Sequence, residues 1–102
     1  MGVSIEKDQS SDGSLLRVSG EIDLYSSPEV RKAILKTIPK TEGCLAIDLA
    51  GVTYIDSSGV ATLVEGLRSA REHDVGFALV SPSSAVTQVL ELARLDSVFE
   101  VR

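Results

Sequence analysis

A carboxylate, two hydroxyls and a glycine stand together in Asp56-Ser57-Ser58-Gly59, directly before a stretch with helical periodicity. The first turn of a helix carries unpaired N–H groups and the positive end of the helix dipole. That end favours negative charge, including the charge of an attached phosphate. One hypothesis is a helix cap formed by Asp56 or Ser57, worth about 1 kcal/mol. The other is a phosphorylation switch, since a cap requires neither a second hydroxyl nor the glycine.

A catalytic serine is a third hypothesis, and it fails for lack of partners. A serine nucleophile needs a base within reach, but His73, the only histidine, follows Ser57 by about four helical turns. Ile55 stands two positions before Ser57, where a nucleophile elbow has glycine. Acid pairs such as Asp23 and Asp56 need a cleft for catalysis, which so short a chain hardly provides. We therefore predict that the protein is not an enzyme.

The sequence also lacks the residue patterns that bind common cofactors or metals. The sequence has no P-loop and no dinucleotide fingerprint. With one cysteine, Cys44, and one histidine, no familiar transition-metal spacing is possible. We predict no cofactor and no metal. Cys44 lies in an apolar run and fits a small buried hydrophobe in a reducing compartment.

Charge and hydropathy exclude further classes of partner. The chain has 15 acidic and 10 basic residues, a net charge of −5 that does not suit a nucleic-acid binder. No run approaches the roughly 18 apolar residues of a membrane span. The first seven residues lack the charged start and apolar core of a secretion signal. We expect a cytoplasmic protein without nucleic-acid binding or direct membrane insertion.

The elements that position the Asp56-Ser57-Ser58-Gly59 turn alternate between strands and helices. Turn residues at 9–13 predict an opening β-hairpin, and Ser27 and Pro28 predict the start of the first helix. We predict strands at 3–6, 15–20, 44–50, 75–80 and 98–101, a helix ended by Pro39, a helix from the turn to His73-Asp74, and a helix that the segment 81–84 caps. Inward-facing residues of the last two helices are predicted to be Val60, Ala61, Val64, Leu67, Ala70, Val86, Val89, Leu90 and Ala93.

The order β-β-α-β-α-β-α-β predicts an α/β fold, with helices packed on a mixed, mostly parallel sheet that begins with a hairpin. At 102 residues without a linker or repeat, the chain is predicted to form a single domain, 1–102.

Four segments, in this order and spacing, resemble the STAS family, whose founding members are bacterial anti-sigma factor antagonists. They are Gly20-Glu21-Ile22-Asp23, Asp48-Leu49, Tyr54-Ile55-Asp56-Ser57-Ser58-Gly59 and Ser81-Pro82. The resemblance covers essentially the whole chain and implies the STAS fold.

The resemblance also implies a mechanism. Ser57 would be the phosphoacceptor of a serine kinase that is itself the anti-sigma factor. Ser58 would be a supporting hydroxyl or a secondary acceptor, and Asp56 and Gly59 would support the site. The unmodified domain would bind this kinase and free the sigma factor. The partner surface would comprise Asp23-Leu24-Tyr25-Ser26, beside Ser57, together with Val60.

The resemblance admits an alternative, because this chain has Gly59-Val60-Ala61 where many antagonists have Gly-Leu-Gly. STAS domains also serve as cytoplasmic subunits of ABC-type phospholipid transporters, where they dock on the ATPase subunit through the same turn without needing phosphorylation. The cytoplasmic domain of sulfate-type anion transporters is a more distant relative.

Overall fold

The computed structural model describes residues 2–102. Met1, which belongs to the segment used to exclude a secretion signal, lies outside these residues. The elements are β1 (Val3–Ser10), β2 (Gly13–Ile22), α1 (Ser27–Thr37), a 3-10 helix (Ile38–Lys40), β3 (Cys44–Ile55), α2 (Ser57–Glu72), β4 (Gly76–Val80), α3 (Ser84–Leu92) and β5 (Glu100–Val101). No helix within the described residues is long and apolar enough to span a membrane.

The five strands form one sheet in the order β1-β2-β3-β4-β5. β1 and β2 are antiparallel neighbours, whereas β2–β3, β3–β4 and β4–β5 are parallel pairs. Parallel neighbours need a crossover connection, and a helix supplies one between each pair. The structure thus confirms the predicted α/β fold with a mixed sheet and an opening hairpin.

β3 is longer than the sequence predicted, since the strand continues beyond Ala50 to Ile55. Glycine is typical of a strand end, but at Gly51 the strand continues. Glycine fits there because β2 runs so close that a Cβ on Gly51 would lie 2.7 Å from Ser19 Cβ. β2 and β3 remain paired beyond this point after a register shift between Arg17 and Ser19. The predicted end near residue 50 is therefore wrong, and the extra residues carry β3 up to the Asp56 turn.

The start of α1 also differs from the prediction. Ser26 occupies the N-cap position, and Ser27 is the first helical residue rather than the cap. The Ser27 N–H donates to the Asp23 carbonyl oxygen at 2.8 Å. Pro28 lies in the first turn, as predicted. The segment before α1 is thereby tied to the helix by backbone contacts.

α2 packs closely on its neighbours through a glycine. A Cβ on Gly66 would lie 2.9 Å from Ile34 of α1 and 2.9 Å from Phe77 of β4. On the exposed side, Arg31 of α1 pairs with Glu65 of α2 at 2.7 Å. An exposed pair of this kind contributes about 0–1 kcal/mol, so the close packing at Gly66 fixes α2 more than the ion pair does.

The buried face of α2 differs in part from the predicted inward face. Its buried residues are Gly59, Val60, Thr62, Leu63, Gly66, Leu67 and Ala70. Ala61 is exposed and Val64 is half-buried. Both residues were predicted to face the core. For Ala61 this is wrong, because the buried face of the helix is centred on Leu63 and Leu67. Val64 lies at the edge of that face and still packs against the core.

The C-terminal elements are shorter than predicted. Val86 and Leu90 of α3 are buried, whereas Val89 is half-buried and Ala93 is exposed because the helix ends at Leu92. β5 contains only Glu100 and Val101. Phe99, just before β5, is buried with its ring centroid 6.4 Å from that of Phe77, which holds the end of the chain on the sheet.

Candidate functional site

Asp56 is the N-cap of α2. Its backbone is extended, with φ −110° and ψ −171°. Its Oδ1 accepts the N–H groups of Ser58 at 2.9 Å and Gly59 at 3.2 Å. Its carbonyl oxygen accepts the N–H of Val60 at 3.1 Å. Of the two cap candidates in the sequence, the structure selects Asp56, and Ser57 is the first helical residue.

The two adjacent serines have different surroundings. The Ser58 hydroxyl donates to Asp56 Oδ1, and the Ser58 carbonyl oxygen accepts the Thr62 hydroxyl at 3.0 Å. Ser58 is half-buried, whereas Ser57 is exposed. Within residues 2–102, no protein group forms a hydrogen bond with the Ser57 hydroxyl. The hydroxyl that faces solvent is therefore that of Ser57.

The loop formed by residues 23–26, here the 23–26 loop, is held by its own side chains. Asp23 Oδ1 accepts the N–H groups of Tyr25 and Ser26, each at 2.9 Å. Ser26 Oγ donates to the Glu21 carbonyl oxygen at 2.7 Å and accepts the Asp23 N–H at 2.9 Å. With the backbone so fixed, Leu24 is 66% exposed and Tyr25 is 88% exposed. Two large side chains are thus presented to solvent on an ordered turn.

The 23–26 loop and the Asp56 turn adjoin each other at the ends of β2 and β3. The Asp56 N–H donates to the Ile22 carbonyl oxygen at 3.1 Å. A Cβ on Gly59 would lie 2.8 Å from Ile22 and 2.6 Å from Ile55. Gly59 therefore lets the first turn of α2 rest directly on both strand ends.

Both carboxylates of the site favour ionisation. The pKa of Asp56 is lowered, first by the hydrogen bond from the Ser58 hydroxyl and then by the backbone donors. The pKa of Asp23 is lowered mainly by the Ser26 N–H. The charge of Asp23 opposes the ionisation of Asp56, which is consistent with their proximity. Within residues 2–102, no three His, Cys, Asp or Glu side chains are grouped as metal ligands.

A shallow groove leads away from Ser57 along the outer side of α2. Ala61 and Val64 give it an apolar floor, and Arg68 and Glu72 lie further along it. Val60 is 7% exposed, so it reaches the groove only at its edge and belongs mainly to the core. The predicted inward face included both Ala61, which is exposed, and Val64, which packs against the core and also borders the groove. The signal for the exposure of Ala61 is Leu63, which with Leu67 centres the buried face of the helix.

The structure brings together most of the residues predicted for the site. Those of the Asp56 turn and the 23–26 loop share one end of the sheet. Ser26 is buried and holds the loop, which leaves Leu24 and Tyr25 as the exposed members. Their roles in phosphorylation and partner binding remain predictions.

The fold and site together define a small α/β domain that presents a serine on a capped helix start beside an ordered loop. The STAS domain model matches residues 4–102. The chain belongs to the STAS domain family, as the resemblance in the sequence predicted.

Several known proteins with similar sequence or fold are named as anti-sigma factor antagonists. The anti-sigma-B factor antagonist of Listeria monocytogenes is 32% identical over 103 residues, which cover 100% of this chain and 90% of the relative. The crystal structure of an anti-sigma factor antagonist from Mycobacterium paratuberculosis has a TM-score of 0.87 at 26% identity, covering 97% of this chain and 84% of that one. The Bacillus cell fate determinant SpoIIAA in its phosphorylated form has a TM-score of 0.73 at 18% identity, covering 97% and 91% of the two chains. The Listeria monocytogenes relative and the Mycobacterium paratuberculosis structure favour the antagonist prediction over the transporter subunit, and the SpoIIAA structure shows the same fold.

Proposed function

We propose that this protein is an anti-sigma factor antagonist that binds an anti-sigma factor with serine kinase activity and is released when that kinase phosphorylates Ser57. The observation that carries the proposal is the contrast between the two serines. The hydroxyl of Ser57 is exposed without a protein partner, whereas that of Ser58 is bonded to Asp56. The Listeria monocytogenes relative supports the choice of partner, because its name identifies sigma-B regulation as its role.

The docking surface in this proposal consists of the 23–26 loop, Ser57 and the apolar floor of the groove. Leu24 and Tyr25 offer exposed apolar area, and aromatic residues are enriched where interfaces derive most of their binding energy. Ala61 and Val64 extend that area along α2. A partner that covers this surface would enclose the Ser57 hydroxyl.

Phosphorylation would act on this surface through charge. A phosphoserine carries about −1.5 to −2 charges at neutral pH. At position 57 it would stand next to Asp56 and near Asp23, and both carboxylates favour their ionised form. The N–H groups of Ser58 and Gly59 are already bonded to Asp56, so the phosphate would remain in solvent. A partner fitted to a neutral hydroxyl would have to bury this charge, and binding would weaken.

The test is to recover the tagged chain from the organism that encodes it and to map phosphoserine by mass spectrometry, with partners identified in the same preparation. We expect phosphate on Ser57 and a bound anti-sigma factor, and a Ser57→Ala variant that retains the partner but carries no phosphate there. Recovery of an ABC transporter ATPase subunit with an unmodified Ser57 would instead support the transporter alternative and reject the proposal.

A further inference from the structure

Both Ser57 and Ser58 lie at the start of α2, so a kinase that reaches this turn meets two adjacent hydroxyls. We propose that Asp56 is a positioning residue that restricts phosphorylation to Ser57 by engaging the hydroxyl of Ser58. This inference deepens the proposed function and rests on it for the identity of the reaction, but the structural part can be tested without any kinase.

The two serine hydroxyls differ in whether their proton is already bonded. In phosphoryl transfer from ATP, a bond forms between serine Oγ and the γ-phosphorus, and the bond from that phosphorus to the β–γ bridging oxygen breaks. ADP leaves, and the hydroxyl proton passes to a carboxylate base of the kinase. The Ser58 proton is already donated to Asp56 Oδ1. The Ser57 hydroxyl has no such bond within the described residues and can turn its proton towards the kinase.

A phosphate on Ser58 would disturb the turn. A phosphate ester at Ser58 Oγ has no proton to donate, so the bond to Asp56 would be lost. The phosphate would also lie at hydrogen-bond range of an ionised carboxylate, where like charges repel. Asp56 Oδ1 holds the N–H groups of Ser58 and Gly59 as well, so moving Asp56 away would uncap α2.

The two serines also differ in how accessible they are to a kinase. Ser58 is half-buried, and the Thr62 hydroxyl bonds its carbonyl oxygen. Ser57 is exposed, and a phosphate placed there breaks no hydrogen bond of the described protein. The turn thus tolerates a phosphate on Ser57 and resists one on Ser58. The difference originates in Asp56, which bonds the Ser58 hydroxyl.

The kinase-independent test installs phosphoserine at position 57 or 58 by genetic code expansion and measures Tm. Phosphoserine at 57 should leave Tm close to that of the unmodified protein. Phosphoserine at 58 should lower Tm by about 4–8 °C, the response of a domain of this size to loss of a helix cap. In an Asp56→Asn background, the drop caused by phosphoserine at 58 should become smaller, because an amide does not repel the phosphate. Asp74→Asn removes the same charge beyond the far end of α2 and should not change that drop.

The second measurement follows the modified residue in cells. Wild-type chain from the source organism should carry phosphate on Ser57 alone, and Asp56→Asn chain should carry phosphate on Ser58 as well. Equal Tm values for the two phosphoserine proteins, or a drop that Asp56→Asn leaves unchanged, would overturn the role of Asp56. Absence of phosphate from both serines in cells would reject the proposed function, while the Tm comparison would still decide whether Asp56 discriminates between them.

Discussion

The backbone N–H of Asp56 donates to the carbonyl oxygen of Ile22 at 3.1 Å, which joins the end of β2 to the turn that starts α2. This bond connects the 23–26 loop, which follows Ile22, and the serines, which follow Asp56, into one structural unit. Residues more than thirty positions apart in the chain therefore form one surface.

Gly59→Ala should destabilise the fold. The new Cβ would lie 2.6 Å from Ile55 and 2.8 Å from Ile22, and both isoleucines are buried too deeply to move aside. Overpacking of this kind costs about 1–3 kcal/mol, whereas the helix propensity of alanine returns at most about 1 kcal/mol. Urea unfolding should show a net loss. Ser57→Ala changes an exposed position in the same turn and should stay within about 0.5 kcal/mol of wild type. A Gly59→Ala protein as stable as Ser57→Ala would contradict the packing argument.

The sequence predicted the order of elements and the position of the site well, because both depend on local patterns. The apolar runs, the turn residues and the Asp56-Ser57-Ser58-Gly59 cap are all visible within short windows. The predictions for Gly51 and Ala61 were wrong, because the strand length at Gly51 and the exposure of Ala61 depend on distant residues. Gly51 continues β3 because β2 lies against it, and Ala61 is exposed because α2 turns Leu63 towards the core. Such tertiary contacts cannot be seen in one segment of the chain.

Asp56 should make stability depend on pH in the acid range. Its pKa is lowered in the folded protein, so the fold favours the ionised form. The resulting stabilisation is complete above the unfolded-state pKa of about 3.9 and is lost as the pH falls through the lower folded-state pKa. The difference in unfolding free energy between wild type and Asp56→Asn should therefore be largest at pH 6–7 and shrink towards pH 3.

Ser58→Ala provides the matched control for that titration. It removes the hydroxyl donor that contributes most to the lowered pKa of Asp56 but keeps the carboxylate and its backbone donors. Its unfolding free energy should vary less with pH than that of wild type, and more than that of Asp56→Asn. A difference between wild type and Asp56→Asn that stays constant from pH 3 to pH 7 would show that ionisation of Asp56 is not coupled to folding.

Ser57→Asp should separate binding from stability. The added carboxylate would stand in solvent at the first position of α2, where the helix dipole favours negative charge, so thermal unfolding should shift little. Binding to the partner identified by co-purification should weaken at least tenfold, because the charge would be enclosed at the interface. Ser57→Asn has the same size without the charge and should bind more tightly than Ser57→Asp in isothermal titration calorimetry. If the two variants bound equally well, charge would not be the cause of release.

Tyr25→Ala should weaken partner binding without affecting the fold. Tyr25 is 88% exposed, and only its backbone N–H bonds to Asp23, so alanine preserves the turn. Removal of an exposed side chain should change stability by no more than about 0.5 kcal/mol, whereas loss of an aromatic anchor at an interface costs about 2 kcal/mol or more, or roughly thirtyfold in Kd. Leu92→Ala is the matched control, since Leu92 is 85% exposed and α3, which ends at this residue, contributes no residue to the proposed docking surface. Calorimetric titration of the two variants with the same partner should show a weakened Tyr25→Ala and an unchanged Leu92→Ala. Equal Kd values for both would place the docking surface somewhere other than the 23–26 loop.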